Sequence, residues 1–460
     1  MIPSFPQEMI DTIVTHIDGT DTLKTCSLVA EAFRQPSQRG LWRRVVLKFE
    51  NGECDSAHAI LAHLAEFRHL ARYVASLTIS MTFQNMSWAA VSAGTHALKS
   101  LFPLLPNVAL LRVSTDVPRG FDSYSWGAER ELFLAVVEGF IRKQVASRKL
   151  RGLGLSKFPN LSRAFLRGAL TACPSISFVD IGRAMEEVNS QEPAETPPDS
   201  TAVNITRLKI GIFDINDPPL YNLILTHTKA LHTLVLTTSG GRWYQQQTIP
   251  SKVPDICLAA KETLKYLAIQ FPRVYSKEDR VMTGFLLPDL PHLHYLQIDF
   301  EPLPDTDRLW MPSYSPPPRL LDFLFTLGAD TMVPSLSKLC LRPDMRADHP
   351  YEDGTVFHPS PEPEHRWVCA GLDGILMKYL SRSIPSVTCY FLPRFFHDRR
   401  QLPDLNKPEA GDLRLHKQLL AAYSLTMSAA LPEATSLGFQ VVDCFASGGI
   451  EWREHEVEFF

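Results

Sequence analysis

The sequence predicts an α/β chain, in which an N-terminal set of three short helices precedes an irregular solenoid of alternating strands and helices curved like a horseshoe. Three observations predict it. The first fifty residues carry apolar side chains at helical spacing with two interruptions, a short apolar kernel recurs through the rest of the chain, and several stretches between kernels are amphipathic.

Met9, Ile10, Ile13, Val14 and Ile17 fall at three- and four-residue steps, on one stripe of a helix. Ser4 can cap that helix, Pro6 suits an early helical position, and Glu8 complements the dipole of the first turn. Asp18-Gly19-Thr20-Asp21 breaks the pattern and offers a fresh cap, after which Leu23, Cys26, Leu28, Val29 and Phe33 form a second apolar set. Pro36 and Ser37 are expected to open a third helix carrying Leu41 and Trp42. Such short helices cover their apolar faces poorly on one another; below about 40 to 50 residues a domain usually needs a partner or a staple.

The order Phe5-Pro6-x-Glu8-x-Ile10-x-x-Ile13-x-x-x-Ile17, Asp21-x-Leu23-x-x-Cys26-Ser-Leu-Val29-x-x-x-Phe33 and Leu41-Trp42 resembles the F-box, in the form abundant in mushroom-type fungi. Phe5 stands where the first leucine is usual, and Phe33 where the second helix often has tryptophan. The resemblance implies that Phe5, Pro6, Glu8, Ile10, Ile13, Ile17, Leu23, Val29 and Trp42 dock on the Skp-type adaptor of a cullin-RING ubiquitin ligase, and through it on a cullin. The alternative is a plain three-helix cap in which the same residues are core.

The recurring kernel reads Leu77-Thr-Ile79, Leu110-Leu-Arg-Val113, Leu153-Gly-Leu155, Phe178-Val-Asp-Ile181 and Leu208-Lys-Ile210. It continues as Leu231-His-Thr-Leu-Val-Leu236, Leu264-Lys-Tyr-Leu-Ala-Ile269, Leu293-His-Tyr-Leu-Gln-Ile298, Leu336-Ser-Lys-Leu-Cys-Leu341 and Leu437-Gly-Phe439. Most steps between kernels are about 26 to 34 residues, the length of one strand plus one helix. Leu132–Ile141 and Leu161–Leu170 read as such helices, the second running into Cys173-Pro174 and the next strand. The phrase resembles a degenerate leucine-rich repeat, without the asparagine that many such repeats place after the strand. Residues 1–48 then form the helical domain and 49–460 the array, with acidic or proline-bearing loop insertions near 186–203, 301–319 and 342–366.

A unit of this size cannot bury its apolar face alone, so stacked units share one core and present a broad concave surface. Residues flanking the buried positions are expected to face it: Arg112, Asp180, Lys209, Gln270, Gln297, Asp299 and Arg342. Their mixed charge suits a protein target better than a nucleic-acid backbone.

Composition limits the alternatives. With 46 Lys+Arg against 50 Asp+Glu, nothing draws the whole chain to nucleic acid or to an anionic membrane. The eight cysteines show no CxxC pair, which predicts free thiols in a reducing compartment. No stretch approaches the roughly 20 apolar residues of a membrane span, and the N-terminus lacks the basic start and apolar run of a secretory signal. Cytoplasmic and/or nuclear residence is the expectation.

Spacing also weighs against the catalytic and metal constellations. Thr237-Thr-Ser-Gly-Gly-Arg242 lacks the lysine and spacing of a phosphate-binding loop, and Ala446-Ser-Gly-Gly449 is weaker still. His292 with His294, and His358, Glu362, Glu364 with His365, lack the fixed four-ligand spacing of a zinc site. The basic run Arg142, Lys143, Arg148, Lys149 and Arg151 suits a helix C-terminus. The expectation is a non-catalytic chain without cofactor or metal: a substrate-receptor subunit holding an unidentified target protein. A repeat scaffold outside the ubiquitin pathway is the alternative; a hydrolase or transferase working on the concave face would need a deep polar pocket.

Overall fold

The computed structural model describes residues 6–17, 19–49, 55–82, 88–116, 127–158, 161–181, 204–212, 214–237, 252–271, 286–300, 303–304, 314–316, 318–327, 332–346, 370–382, 386–397, 400–402 and 410–442. The chain divides into two compact units, Met1–Ile205 and Thr206–Glu458.

The first unit opens with α1 (Gln7–Thr15), α2 (Thr20–Val29) and α3 (Glu31–Trp42). Ile10, Val14 and Leu23 form their small core, with Ile17, Phe33 and Leu41 packed against it. Full burial of such side chains stabilises by about 1.5–3 kcal/mol each. Gly40 lets α2 and α3 approach, since a Cβ there would lie 3.2 Å from Leu23 Cδ1. The third helix starts earlier than expected. Ala30 is extended, with φ −155° and ψ 155°, which ends α2 at Val29 and starts α3 at Glu31. Phe33 therefore belongs to α3, and Pro36 lies inside a helix it was expected to open. Pro36 has no N–H for the carbonyl four residues back, which is Ala32. The Gln7 side-chain amide donates to that carbonyl at 3.1 Å.

Strands and helices then alternate: β1 (Arg44–Phe49), α4 (Asp55–Glu66), β2 (Ser76–Thr82), α5 (Trp88–Leu101), β3 (Leu110–Asp116), α6 (Gly127–Ala146), β4 (Gly152–Ser156), α7 (Arg163–Ala172) and β5 (Ser175–Val179). The five strands are parallel and adjacent in chain order. The helices pack on one another in the same order, α4 on α5, α5 on α6 and α6 on α7. Leu47, Phe49, Leu77, Ile79, Leu111, Val113, Leu153, Leu155, Ile176 and Phe178 are all buried, so one side of every strand feeds a shared core.

The second unit contains β6 (Arg207–Gly211), α8 (Pro218–His227), β7 (Thr233–Thr237), α9 (Lys252–Ala259), β8 (Tyr266–Gln270) and β9 (Tyr295–Phe300). The short antiparallel pair β10 (Leu303–Pro304) and β11 (Tyr314–Ser315) precedes α10 (Pro318–Leu327), β12 (Lys338–Arg346), α11 (Ala370–Leu380) and β13 (Thr388–Phe391). There follow β14 (Arg394–His397), β15 (Arg400–Leu402), α12 (Ala410–Ala430), α13 (Pro432–Ser436) and β16 (Gln440–Val441). Here β6, β7, β8, β9, β12, β13 and β16 run parallel side by side. The far half of β12 pairs with β14, itself antiparallel to β15.

One backbone motif sets the repeat. The residue just before a strand accepts from two successive N–H groups at the matching point of the next repeat. Arg43 O receives Ala75 and Ser76 N–H, Ala75 O receives Ala109 and Leu110, and Ala109 O receives Arg151 and Gly152. In the second unit Thr206 O receives His232 and Thr233, His232 O receives Lys265 and Tyr266, Lys265 O receives His294 and Tyr295, and His294 O receives Ser337 and Lys338. Each turn is therefore clamped to its neighbour, and buried backbone groups entering the sheet find partners. Side chains add to this at Asn107, which donates to Arg72 O at 3.1 Å, and at Thr263, which donates to Leu231 O at 2.9 Å.

Three further differences from the sequence reading are structural findings. Residues 342–346, expected to begin a loop, continue β12, and the rest of that stretch to residue 366 lies outside the described residues, as do 186–200. The kernel Leu437-Gly-Phe439 is a turn, with Gly438 at φ 99°, and the strand follows it at Gln440. Finally, β1 and β13, with Val45-Val-Leu-Lys-Phe49 and Thr388-Cys-Tyr-Phe391, were not among the kernels.

Candidate functional site

Two surfaces emerge from this framework. The first lies on the N-terminal helices. The three-residue core leaves much apolar surface outside: Met9 is 49% exposed, Ile13 47%, Leu28 86% and Val29 70%. Pro6 and Glu8 are exposed and Ile17 is half-buried. The Gln7–Ala32 hydrogen bond sets the start of α1 beside the α2–α3 junction, near the end of α2 that bears Leu28 and Val29.

The residues expected to dock on an adaptor thus separate by environment. Ile10 and Leu23 are 4% and 6% exposed and belong to the helical core. Trp42 is half-buried: its ring stacks on His63 of α4 at 4.9 Å, and His63 in turn meets Phe67 at 4.8 Å, so Trp42 ties the helices to the first strand–helix repeat. Phe5 lies outside the described residues. Pro6, Glu8, Ile13 and Val29 remain on the surface, joined by Met9 and Leu28.

The second kind of surface is, in each unit by itself, the side of the strands away from the leucine core. Arg112, Lys209, Gln270, Gln297, Asp299 and Arg342 all occupy strand positions of that parity, while Asp180 follows β5 with φ 59°. Arg112 is exposed and lies in the first unit; Lys209 and Gln270 are half-buried. Gln297, Asp299 and Arg342 are buried, contrary to an open target-binding face. They form a network instead. Gln270, Asp299 and Arg342 align across β8, β9 and β12. Arg342 Nη2 donates to Asp299 Oδ2 at 3.1 Å, Gln297 Nε2 donates to Asp299 Oδ1 at 2.9 Å, and Tyr266 OH donates to Gln297 Oε1 at 3.0 Å.

Tyr266, Ala268, Tyr295, Cys340, Tyr390 and Leu392 fill the rest of this layer. The Tyr266 and Tyr295 rings stack at 4.5 Å, and burial raises the Tyr295 phenol well above its usual range, with Cys340, Tyr266 and Tyr390 adding to the effect. The layer is held together by these hydrogen bonds and the Asp299–Arg342 pair. Sequence reading missed the tyrosines although a signal was present: Tyr266 and Tyr295 hold the same place in two kernels, Leu264-Lys-Tyr266 and Leu293-His-Tyr295.

Other sequence candidates resolve into structural roles. Arg142 pairs with Glu138 at 2.7 Å and donates to Ser162 Oγ, the cap of α7, while Lys149 Nζ donates to Pro106 O. His292 faces Glu262 at 3.7 Å, whereas His294 Nδ1 is 3.1 Å from Ser335 O. Among the described residues no group of three or more His, Cys, Asp or Glu could hold a metal ion. His358, Glu362, Glu364, His365 and residues 238–242 and 446–449 lie outside the described residues. Cys173, Cys257, Cys340 and Cys389 are buried free thiols; burial pushes Cys173, Cys257 and Cys389 up to about 12.

Comparison with protein-family models gives no match, and comparison with curated proteins gives none either. Among the described residues no helix is long and apolar enough to cross a membrane.

Proposed function

We propose that this chain is the substrate-receptor subunit of a cullin-RING ubiquitin ligase. In this reading α1–α3 are an F-box that docks on a Skp-type adaptor, and the strand–helix array, as a degenerate leucine-rich-repeat domain, holds a target protein. The observation that carries the proposal is the exposure of Met9, Ile13, Leu28 and Val29 on helices whose own core is only Ile10, Val14 and Leu23. Exposed apolar side chains gathered on one small module are the usual mark of a protein interface. Two of them, Ile13 and Val29, belong to the F-box resemblance, as do the exposed Pro6 and Glu8.

The mechanism is proximity. The receptor tethers a target near a transferring enzyme elsewhere in the assembly, which raises the effective concentration of its lysines without any catalytic group on this chain. Co-purification of the intact chain with a Skp-type adaptor tests the reading. Binding that is lost in Ile13→Asp and Val29→Asp but kept in an Arg112→Gln control is the expected result, since all three positions are exposed and Arg112 lies outside the N-terminal helices.

A further inference from the structure

We infer that Tyr73 is a modification site, where a phosphoryl group set on the phenol by a protein tyrosine kinase is held by Arg72, Arg39 and Gln35 and clamps the N-terminal helices to the first strand–helix repeat. The inference goes beyond the ligase reading and does not depend on it. Tyr73 closes a short 3₁₀ helix, Arg68–Tyr73, that lies between α4 and β2 and packs against α3. It thus stands where the helical domain meets the array.

The phenol oxygen of Tyr73 is already an acceptor. Arg72 Nη2 donates to it at 3.1 Å, and the Arg72 guanidinium lies over the Tyr73 ring, 5.1 Å from its centre. Gln35 of α3 bonds to the same phenol, and the charge of Arg39, one turn further along α3, acts on it. Burial opposes ionisation of this phenol, but the bonds from Arg72 and Gln35 and the charges of Arg72 and Arg39 outweigh it and hold the group below its usual range. Negative charge is therefore favoured at this oxygen. A phosphoryl group brings a charge of about −1.5 to −2 at neutral pH and three strong acceptor oxygens. Guanidinium groups bond such oxygens in pairs.

Arg39 also serves Asp11 of α1, Nη1 to Oδ2 at 3.7 Å, and Asp11 accepts from the Gln7 side-chain amide at 2.9 Å. So long an ion pair, between side chains 52% and 36% exposed, contributes little, and a phosphoryl group on Tyr73 can draw Arg39 towards itself. On the other side, Arg72 is fixed by its backbone, whose carbonyl accepts from Asn107 at 3.1 Å. A phosphoryl group bonded by Arg39 and Arg72 together bridges α3 to the first repeat.

The other tyrosines whose side chains are described lack this setting. Tyr266, Tyr295, Tyr379, Tyr390 and Tyr423 are buried, out of the reach of a kinase. Tyr221 is half-buried like Tyr73, and Lys252 lies over its ring at 4.8 Å. Its hydroxyl, however, donates to Asp255 Oδ2 at 2.7 Å, and burial together with that carboxylate pushes the phenol up to about 12. A phosphoryl group there would meet the carboxylate. At Tyr73 the phenol oxygen attacks the γ-phosphorus of ATP and the new O–P bond forms. The bond from that phosphorus to the β,γ-bridging oxygen breaks, ADP leaves with the electron pair, and the phenol proton passes to the base of the kinase.

The test uses the intact chain with phosphotyrosine placed at position 73 by site-specific incorporation, its urea unfolding compared with that of the unmodified chain. The expected result is a higher midpoint on phosphorylation, and loss of that gain in an Arg39→Gln, Arg72→Gln background. Arg39→Lys with Arg72→Lys, which keeps the charge without the paired donors, should keep part of the gain. Circular dichroism checks that each unmodified background is folded. In parallel, the folded unmodified chain is treated with a tyrosine kinase of broad specificity and ATP, and its phosphopeptides are mapped by mass spectrometry. Label at Tyr73 ahead of Tyr221 and of the five buried tyrosines is expected. An unchanged or lower midpoint, the same gain in the glutamine background, or a Tyr73 left unlabelled by a kinase that labels the same segment as a free peptide would overturn the inference.

Discussion

The Gln7 side-chain amide donates to the Ala32 carbonyl at 3.1 Å, the one acceptor in α3 that Pro36 deprives of its helical N–H. A proline that would ordinarily weaken a helix thus becomes the attachment point of another helix.

The expected outcome is energetic coupling between Gln7 and Pro36. Gln7→Ala should destabilise the chain by about 0.5–1.5 kcal/mol, as for an ordinary intramolecular hydrogen bond. In a Pro36→Ala background a backbone N–H reclaims the Ala32 carbonyl, so the same change should cost less. Urea unfolding of the double-mutant cycle reads this, and strict additivity would contradict it.

Asp299 and Arg342 make a second pair whose members depend on each other, their side chains each only 11% exposed. Asp299→Ala leaves a buried guanidinium without its carboxylate and should cost about 3–5 kcal/mol. Replacing both, as Asp299→Leu with Arg342→Met, should recover most of that loss. Unfolding midpoints of the single and double variants decide the point.

Alkaline stability should report the buried thiols. The folded values of Cys173, Cys257 and Cys389 are pushed from near 9.0 up to about 12 by burial. A raised folded value means the protonated thiol is preferred in the folded state, so this stabilisation is complete below about pH 9 and falls away as pH rises towards 12. Cys257→Ala should flatten that fall, as measured by urea midpoints across the range. Thiol labelling at neutral pH should reach the half-buried Cys26 well before Cys173, Cys257, Cys340 or Cys389.

Much of the array was legible in the sequence because a buried parallel strand needs a dense apolar run, and the kernels from Leu77 to Leu341 supply it. β1 escaped because Val45, Leu47 and Phe49 alternate with Arg44, Val46 and Lys48, a period-two pattern without the leucine kernel. The start of α3 escaped for a different reason: proline favours a first helical turn, but Ala30 broke the chain earlier and Gln7 met the carbonyl that Pro36 leaves open. On the candidate surfaces, periodicity marked the apolar stripe but not which members face inward. Ile10 and Ile13 sit three residues apart on one stripe, yet the first is core and the second exposed, because only the packing of α3 against α1 separates them. Likewise, parity placed Gln297, Asp299 and Arg342 on the outward face, but neighbouring tyrosines and their mutual bonds close that part of it.

The central claim is that α1 and α2 present an adaptor-binding surface, and one measurement addresses it most directly. The intact chain and its Ile13→Asp, Val29→Asp variant are titrated against a purified Skp-type adaptor by calorimetry. The account predicts a stable complex for the unaltered chain and a loss of at least about tenfold, or ~1.4 kcal/mol, for the variant with its fold intact. A folded, unaltered chain that shows no heat of binding would contradict it.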